Sequence, residues 1–288
     1  WWKEAIVYQV YPRSFKDSNG DGIGDLRGII SKLDYLKSLG IDVVWINPVY
    51  ASPNDDNGYD ISDYCDIMKE FGTMQDFDEL LKGLHKRGIK LVMDLVVNHT
   101  SDEHEWFKQS RSSRNKPYRQ YYHWWPAEKG RPPHRPSFFD EKGSGWQYDR
   151  KTNSFYLHIF STKQPDLNWE NPTVRKEIYN MMKFWFDKGV DGFRMDAITF
   201  IAKDDKFPAF TEEEIAKKYG EWSGYYASNS NLHEYLKEMN NEVLCKYDIM
   251  TVAEGPGIFP EEAHKIVDPS RHELNMLYHF EGIGIGYV

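Results

Sequence analysis

Asp191-Gly192-Phe193-Arg194-Met195-Asp196-Ala197-Ile198 sets an arginine and an aspartate two positions apart inside an otherwise apolar run. On a β-strand that spacing puts Arg194 and Asp196 on one face and Met195 and Ala197 on the other. An inward-facing charged pair has two readings: a structural ion pair that closes a strand end, or part of a site that needs an ionised carboxylate. The flanking chain has to decide between them.

Immediately upstream, Asn171-Pro172 reads as an N-cap followed by proline at the first helical position, opening a helix that runs to Lys188 and stops at Gly189. A helix therefore feeds the strand Val190 to Ile198. The same unit recurs along the chain. Ile6 to Tyr11 is a first strand ended by Pro12, and Asp25 to Leu39 carries a helical stripe with Gly40 as its stop. Val43 to Val49 is a second strand, nearly all apolar as in a parallel sheet covered on both faces. Thr73 caps a helix to Arg87, and Leu91 to His99 is a third strand. After the quoted strand come an irregular stretch to about Ser228, a helix over Leu232 to Cys245, a fifth strand over Asp248 to Gly255 and a sixth from Leu274 to Phe280.

Alternation of this kind allows an open doubly wound sheet or a (β/α)8 TIM barrel. No glycine-rich phosphate loop follows the first strand. Polar residues gather instead just past the strands, as Asp56 and Tyr59, Asn98 and His99, Asp196, and Glu254. In a barrel those ends converge on one mouth, so the barrel is the reading adopted, with about six of its eight βα units in the sequence. The alternation lapses between 101 and 166, a stretch rich in Trp, Tyr, Pro and charge and too long for a bare loop. The expected organisation is a first barrel part over 1–100, an inserted small subdomain over 101–166 with a strand Phe155 to Phe160, and the barrel continued over 167–288.

Composition narrows the function. Lys plus Arg number 36 against 45 Asp plus Glu, a net charge of −9 with no basic stripe, which argues against nucleic acid as a partner. No apolar run reaches membrane-spanning length, so no membrane partner is expected. Cys65 and Cys245 have neither metal-knuckle nor redox-pair spacing and suit a reducing, cytoplasmic compartment, although a removed leader would leave the same start. Aromatic residues at 16% suit a site that stacks on the flat faces of sugars as well as a large core. A monomer is expected.

Between Asp17 and Asp25, oxygen side chains stand at Asp17, Asn19, Asp21 and Asp25, with Ile23 able to offer a carbonyl and Gly22 placed at the sharp turn. This is the rhythm of the first part of an EF-hand loop and suits one structural Ca²⁺ or Mg²⁺ ion. Its twelfth position is Gly28 rather than glutamate, so Asp25 would have to supply the closing carboxylate.

Asp196 and Glu254 end neighbouring strands, which run about 4.8 Å apart. That puts their carboxyl groups near the roughly 5 to 5.5 Å separation of retaining glycosidases. Arg194 favours an ionised Asp196, whereas Glu254 has no adjacent cation in sequence, so the pair reads as nucleophile and acid.

With these residues in hand, the chain resembles the catalytic part of glycoside hydrolase family 13, the alpha-amylase superfamily, in its oligo-1,6-glucosidase, alpha-glucosidase and sucrose isomerase group. The likeness rests on Ala5 to Phe15, Asp56-Asn-Gly-Tyr-Asp60, Asp94-Leu-Val-Val-Asn-His99, Gln164 to Trp169, Gly192-Phe-Arg-Met-Asp196 and the Glu254 strand end. It implies Asp196 as nucleophile, Glu254 as acid/base, Arg194 and His99 as contacts to a glucosyl unit, Asp56 on its outer hydroxyls, Tyr59 beneath it, and Phe160 and Gln164 lining the site. It also implies that the Asp17 to Asp25 loop is a metal site remote from the chemistry. Asp60 and Asp94 are read as structural, binding backbone amides at loop corners.

The expected activity is release of α-linked glucose from the ends of short oligosaccharides through a covalent glucosyl intermediate. The alternatives are sucrose isomerisation or transglucosylation and, outside catalysis, a carbohydrate-binding or scaffold homologue. Three departures from the family pattern stand out. A third catalytic carboxylate, an aspartate after a histidine at the seventh strand end, is not in the sequence, which is therefore read as the amino-terminal portion of a longer protein. Ala253 precedes Glu254 where glycine is usual. Ala197 follows Asp196 where the α-1,6-specific relatives carry valine, leaving room for α-1,4 or mixed preference. The Arg-rich segment of the isomerases does not follow Phe280.

Overall fold

The computed structural model describes residues 1–140, 143–204, 206–215, 226–227 and 231–280. The segment after Phe280, where the isomerases carry their Arg-rich signature, lies outside the described residues, as does most of 216–230.

Six strands, β1 (Val7–Val10), β2 (Val43–Ile46), β3 (Lys90–Val96), β4 (Gly192–Asp196), β5 (Met250–Gly255) and β6 (Met276–His279), form one sheet. Each pairs in parallel with the next in chain order. A doubly wound sheet would reverse its order at a switch point, whereas this monotonic order is the barrel's, through the sixth strand.

Register fixes which side chains face inward. Asp94 lies opposite Arg194, Arg194 opposite Val252, and Glu254 opposite Tyr278. These residues share the inner face with Trp45, Val43, Val92 and Met250. Phe193 and Met195, one step out of phase, join the main apolar core instead. The core under the mouth is thus apolar at the bottom of the strands and charged at their C-terminal ends.

Local signals explain most boundaries. The helix Met74–Lys86 opens on a reciprocal capping box between Thr73 and Asp76, and Arg27 bridges to the same carboxylate at 2.5 Å. Thr73→Ala removes one arm of that box and is expected to cost about 1 kcal/mol, read as a lower urea midpoint at unchanged slope. Gly189 adopts φ 107° as the C-cap of the helix Pro172–Lys188 and turns the chain into β4.

Three expectations need correction. The helix read from Asp25 to Leu39 is two, Leu26–Ile30 and Leu33–Ser38. Ser31 donates its hydroxyl to the Gly28 carbonyl at 2.6 Å, and Lys32 leaves the helical region at φ −110°, ψ 10°. Within 101–166 the chain holds a helix, Glu105–Ser112, that the composition concealed because its cap is His104, whose Nδ1 accepts the Trp106 amide. The strand read as Phe155 to Phe160 ends at Leu157. It is the central strand, Ser154–Leu157, of a small antiparallel sheet with Trp124–Pro126 and Trp146–Asp149.

Candidate active site

Arg194 is the hub. Its side chain is 7% exposed, and three carboxylates surround it. Nη1 donates to Asp94 Oδ1 at 2.7 Å and Asp196 Oδ1 at 2.5 Å, Nη2 meets Glu254 Oε1 at 2.7 Å, and Nε donates to the Tyr278 hydroxyl at 2.6 Å. A planar guanidinium can serve several acceptors at once because its donors point in a fixed fork. Burial works against the Arg194 charge, but Asp196, Asp94 and Glu254 outweigh it and raise its pKa.

The reverse holds for the acids. Burial, then the charge of Asp196, pushes Glu254 up to about 8 against the pull of Arg194. Burial likewise pushes Asp94 up to about 7, opposed by Arg194 and by the Trp45 indole, which donates to Asp94 Oδ2 at 3.0 Å. One cation among three carboxylates leaves an excess of negative charge, and a proton relieves it. Asp94 and Glu254, both raised by burial, are the groups that take it up. The other Glu254 oxygen accepts the Ala197 amide at 2.8 Å. Ala197 reaches that position in the left-handed region at φ 45°, unusual for a residue with a Cβ.

A second group assembles from the β2 loop, the end of β3 and the insertion. Asp60, fully buried, accepts Ser52 Oγ and the amides of Asp55 and Asp56, and so shapes the loop that presents Asp56 and Tyr59. Asp56 Oδ2 accepts from Gln164 Nε2 at 2.9 Å, while burial raises Asp56 to about 6. Tyr59 accepts from Asn47 at 2.9 Å, and its ring centroid lies 5.8 Å from Arg194 Cζ. His99 is 1% exposed, with its pKa lowered by burial, and sits 5.1 Å from the Phe160 ring. Phe160 stacks in turn on Phe138.

All eight expected catalytic and glucosyl-contacting residues therefore occupy one end of the sheet and the insertion facing it. Asp196, Glu254 and Arg194 touch directly, Asp56, Gln164, His99 and Phe160 form a chain of contacts, and Tyr59 joins the two sets, through Arg194 and Asp94 on one side and through its carbonyl to His99 on the other.

Asp60 binds loop amides as expected. Asp94 does not: its partners are Arg194, Trp45 and Tyr59, because its inward parity on β3 places it beneath the guanidinium instead of at a loop corner. Trp45, Asn47 and Tyr278 were not singled out from sequence. The available signal was parity: Trp45 stands on the inward register of β2, and Tyr278 pairs with Glu254.

In the Asp17 to Asp25 loop, Asp17 accepts the amides of Asn19, Gly20 and Gly22, which lower its pKa. Asn19 Oδ1 accepts the Asp21 amide and Asp21 Oδ1 the Ile23 amide, and Gly20 and Gly22 turn at φ 84° and 91°. Asp25 has both oxygens engaged, one by Ser18 and one as cap to the Gly28 amide. Among the described residues no three His, Cys, Asp or Glu side chains converge as a cation site.

Residues 9–288 match the family model of the alpha amylase, catalytic domain. An oligo-1,6-glucosidase of Parageobacillus thermoglucosidasius is 64% identical over 282 residues, covering 98% of this chain and 50% of that protein. An alpha-glucosidase of Pediococcus pentosaceus is 55% identical over 284 residues, again 98% and 50%. Among solved structures, the isomaltulose synthase SmuA from Protaminobacter rubrum superposes with a TM-score of 0.94 at 53% identity, covering 99% of this chain and 50% of that one. The chain spans about half the length of the curated relatives it matches.

Proposed function

Because the chain belongs to the alpha-amylase catalytic-domain family, we propose that it supplies the nucleophile, the acid/base and much of the glucosyl pocket of a retaining α-glucosidase acting on short oligosaccharides. One observation carries this reading: a single guanidinium holds Asp196 and Glu254 together, with Glu254 pushed up to about 8. Arg194 holds the Asp196 carboxylate in place, and the Asp196 oxygen attacks the anomeric carbon. Glu254 gives its proton to the departing glycosidic oxygen, so the glycosidic bond breaks as the ester to Asp196 forms. Glu254, now anionic, takes a proton from water, which attacks the same carbon and releases Asp196 with net retention. Asp56, His99 and Gln164 hydrogen-bond the sugar, and Tyr59 and Phe160 wall it.

The test is incubation of the full-length protein with a fluorinated glucosyl donor, followed by peptide mapping. A glucosyl adduct on the Asp196 peptide is expected, and an unlabelled protein would sink the reading in favour of a binding homologue. Sucrose isomerisation is the second reading, favoured by the likeness to the isomaltulose synthase. Products from maltose, isomaltose and sucrose separate the two, since an isomer formed from sucrose with little free glucose would overturn hydrolysis. Ala197, smaller than valine beside the reacting centre, supports α-1,4 or mixed linkage preference. Two exposed, unpaired cysteines support a reducing, cytoplasmic setting.

For the Asp17 to Asp25 loop, one structural Ca²⁺ or Mg²⁺ ion is supported by the ligand spacing and by the anionic Asp17 at its start. Free Ca²⁺ at about 100 times its Kd would then stabilise the fold by about 2.7 kcal/mol. A melting temperature identical in Ca²⁺ and in chelator would remove the ion from this account.

A further inference from the structure

Lys203 follows the 3-10 turn Ile198–Phe200 after β4, carries its ammonium into the interior and is 7% exposed. Its three donors are all used: Asp166 Oδ2 at 2.8 Å, Asn98 Oδ1 at 2.6 Å and the Phe200 carbonyl at 2.5 Å. Asn98 and Asp166 are themselves fully buried, and the reaction described above uses none of the three residues.

The consequence runs through Asn98. An ammonium has no acceptor, so it can face only the oxygen end of the Asn98 amide. The nitrogen end must then turn the other way, where Asn98 Nδ2 stands 3.1 Å from His99 Nδ1 and 3.4 Å from Asp166 Oδ2. A donor opposite Nδ1 makes Nδ1 the acceptor and leaves the neutral ring's proton on Nε2. Nε2 is 3.2 Å from the Tyr59 carbonyl, which can only accept. One contact opposes this tautomer: Gln164 Nε2 also lies 3.2 Å from His99 Nε2. That amide cannot reverse, because its oxygen accepts the Ser161 amide at 3.0 Å and its nitrogen donates to Asp56 at 2.9 Å. With Asn98 locked, two contacts favour Nε2–H and one opposes it. With Asn98 reversed, its oxygen and Gln164 would both favour Nδ1–H, and only the Tyr59 carbonyl would oppose it. The orientation of one buried amide decides the balance.

We propose that Lys203 is a positioning residue that holds His99 in its Nε2–H tautomer by orienting the Asn98 amide, so that the Nε2–H it turns toward the Tyr59 carbonyl can be shared with a hydroxyl of the glucosyl unit. The statement about substrate rests on the glucosidase reading, whereas the statement about the ring does not.

The tautomer is read directly from two-bond ¹H–¹⁵N correlations of histidine-labelled full-length protein. Wild type is expected to show an unprotonated Nδ1 at His99, and a protonated Nδ1 would overturn the proposal whatever the activity. Lys203→Met combined with Asp166→Asn removes the cation and its counter-ion together, so that no buried charge is stranded. In that variant a mixed or Nδ1–H ring is expected, with kcat/KM for maltose lower by about tenfold, the worth of one hydrogen bond. Lys203→Arg, which keeps a cationic donor facing Asn98, is expected to retain the wild-type tautomer. An unchanged tautomer in the double variant would reduce Lys203 to a structural tie. Failure of the glucosidase reading would show instead as an unlabelled Asp196 with the His99 signal intact.

Discussion

Glu254→Gln is expected to lower kcat for maltose by about 10²- to 10⁴-fold, the usual worth of a positioned acid/base, while leaving the fold intact. Glutamine keeps the shape but can accept from only one of Arg194 and the Ala197 amide, and it has no proton to give. A glucosyl donor whose leaving group needs no protonation, such as the fluoride, should therefore still glucosylate Asp196 in the variant. The reaction would then stall at the ester, because the base that activates water is missing as well. Accumulation of that ester is the outcome to look for. Equal losses on maltose and glucosyl fluoride would mean that Glu254 acts by position alone. The pH profile gives a second readout. Burial and Asp196 raise Glu254 to about 8, so the acid is present below that pH and is lost as pH rises through it. Wild-type kcat/KM is expected to fall along that limb, and the limb is expected to vanish in Glu254→Gln.

Arg194→Met is expected to be the most destabilising single change in the site, by about 3 to 5 kcal/mol, as when one partner of a buried ion pair is removed. The loss strands Asp94, Asp196 and Glu254 against one another without a cation. Groups with raised pKa bind protons more readily in the folded state than in the unfolded one. Their contribution is therefore intact below the ordinary carboxylate range and is lost as pH rises through about 7 for Asp94 and about 8 for Glu254. The deficit of Arg194→Met should accordingly narrow as the pH is lowered below that window. Arg194→Lys keeps a charge but cannot span Asp94, Asp196, Glu254 and Tyr278 at once, and should fall between the two. Urea midpoints across pH measure this, and a methionine variant as stable as wild type at pH 8 would contradict the hub described here.

Much of the architecture was legible because it is written in short-range chemistry. Thr73 followed by Asp76, Asn171 before Pro172, and Gly189 after Lys188 each satisfy or end a helix with groups a few residues away. Where the competing interaction was also local but weakly coded, the reading failed. Ser31 turned its hydroxyl back to Gly28 and split one helix into two, and His104 capped a helix in place of the usual Ser, Thr, Asp or Asn. The site was legible in its members and less so in its wiring. Asp94 read as a loop-corner residue, because nothing near it in sequence shows that Arg194, 100 positions away, sits over it.

The sequence by itself determined that Arg194 and Asp196 share a face, since the alternation of side chains along a strand follows from covalent geometry. It determined as well that polar residues mark the strand ends, from the order in which apolar and polar residues alternate. Only the tertiary structure decided that Asp94, Asp196 and Glu254 divide one guanidinium and that Asp94 and Glu254 are raised well above the ordinary carboxylate range. Both outcomes depend on burial and on Coulomb interactions among groups brought together by β3, β4 and β5, and those terms do not exist until the sheet has formed.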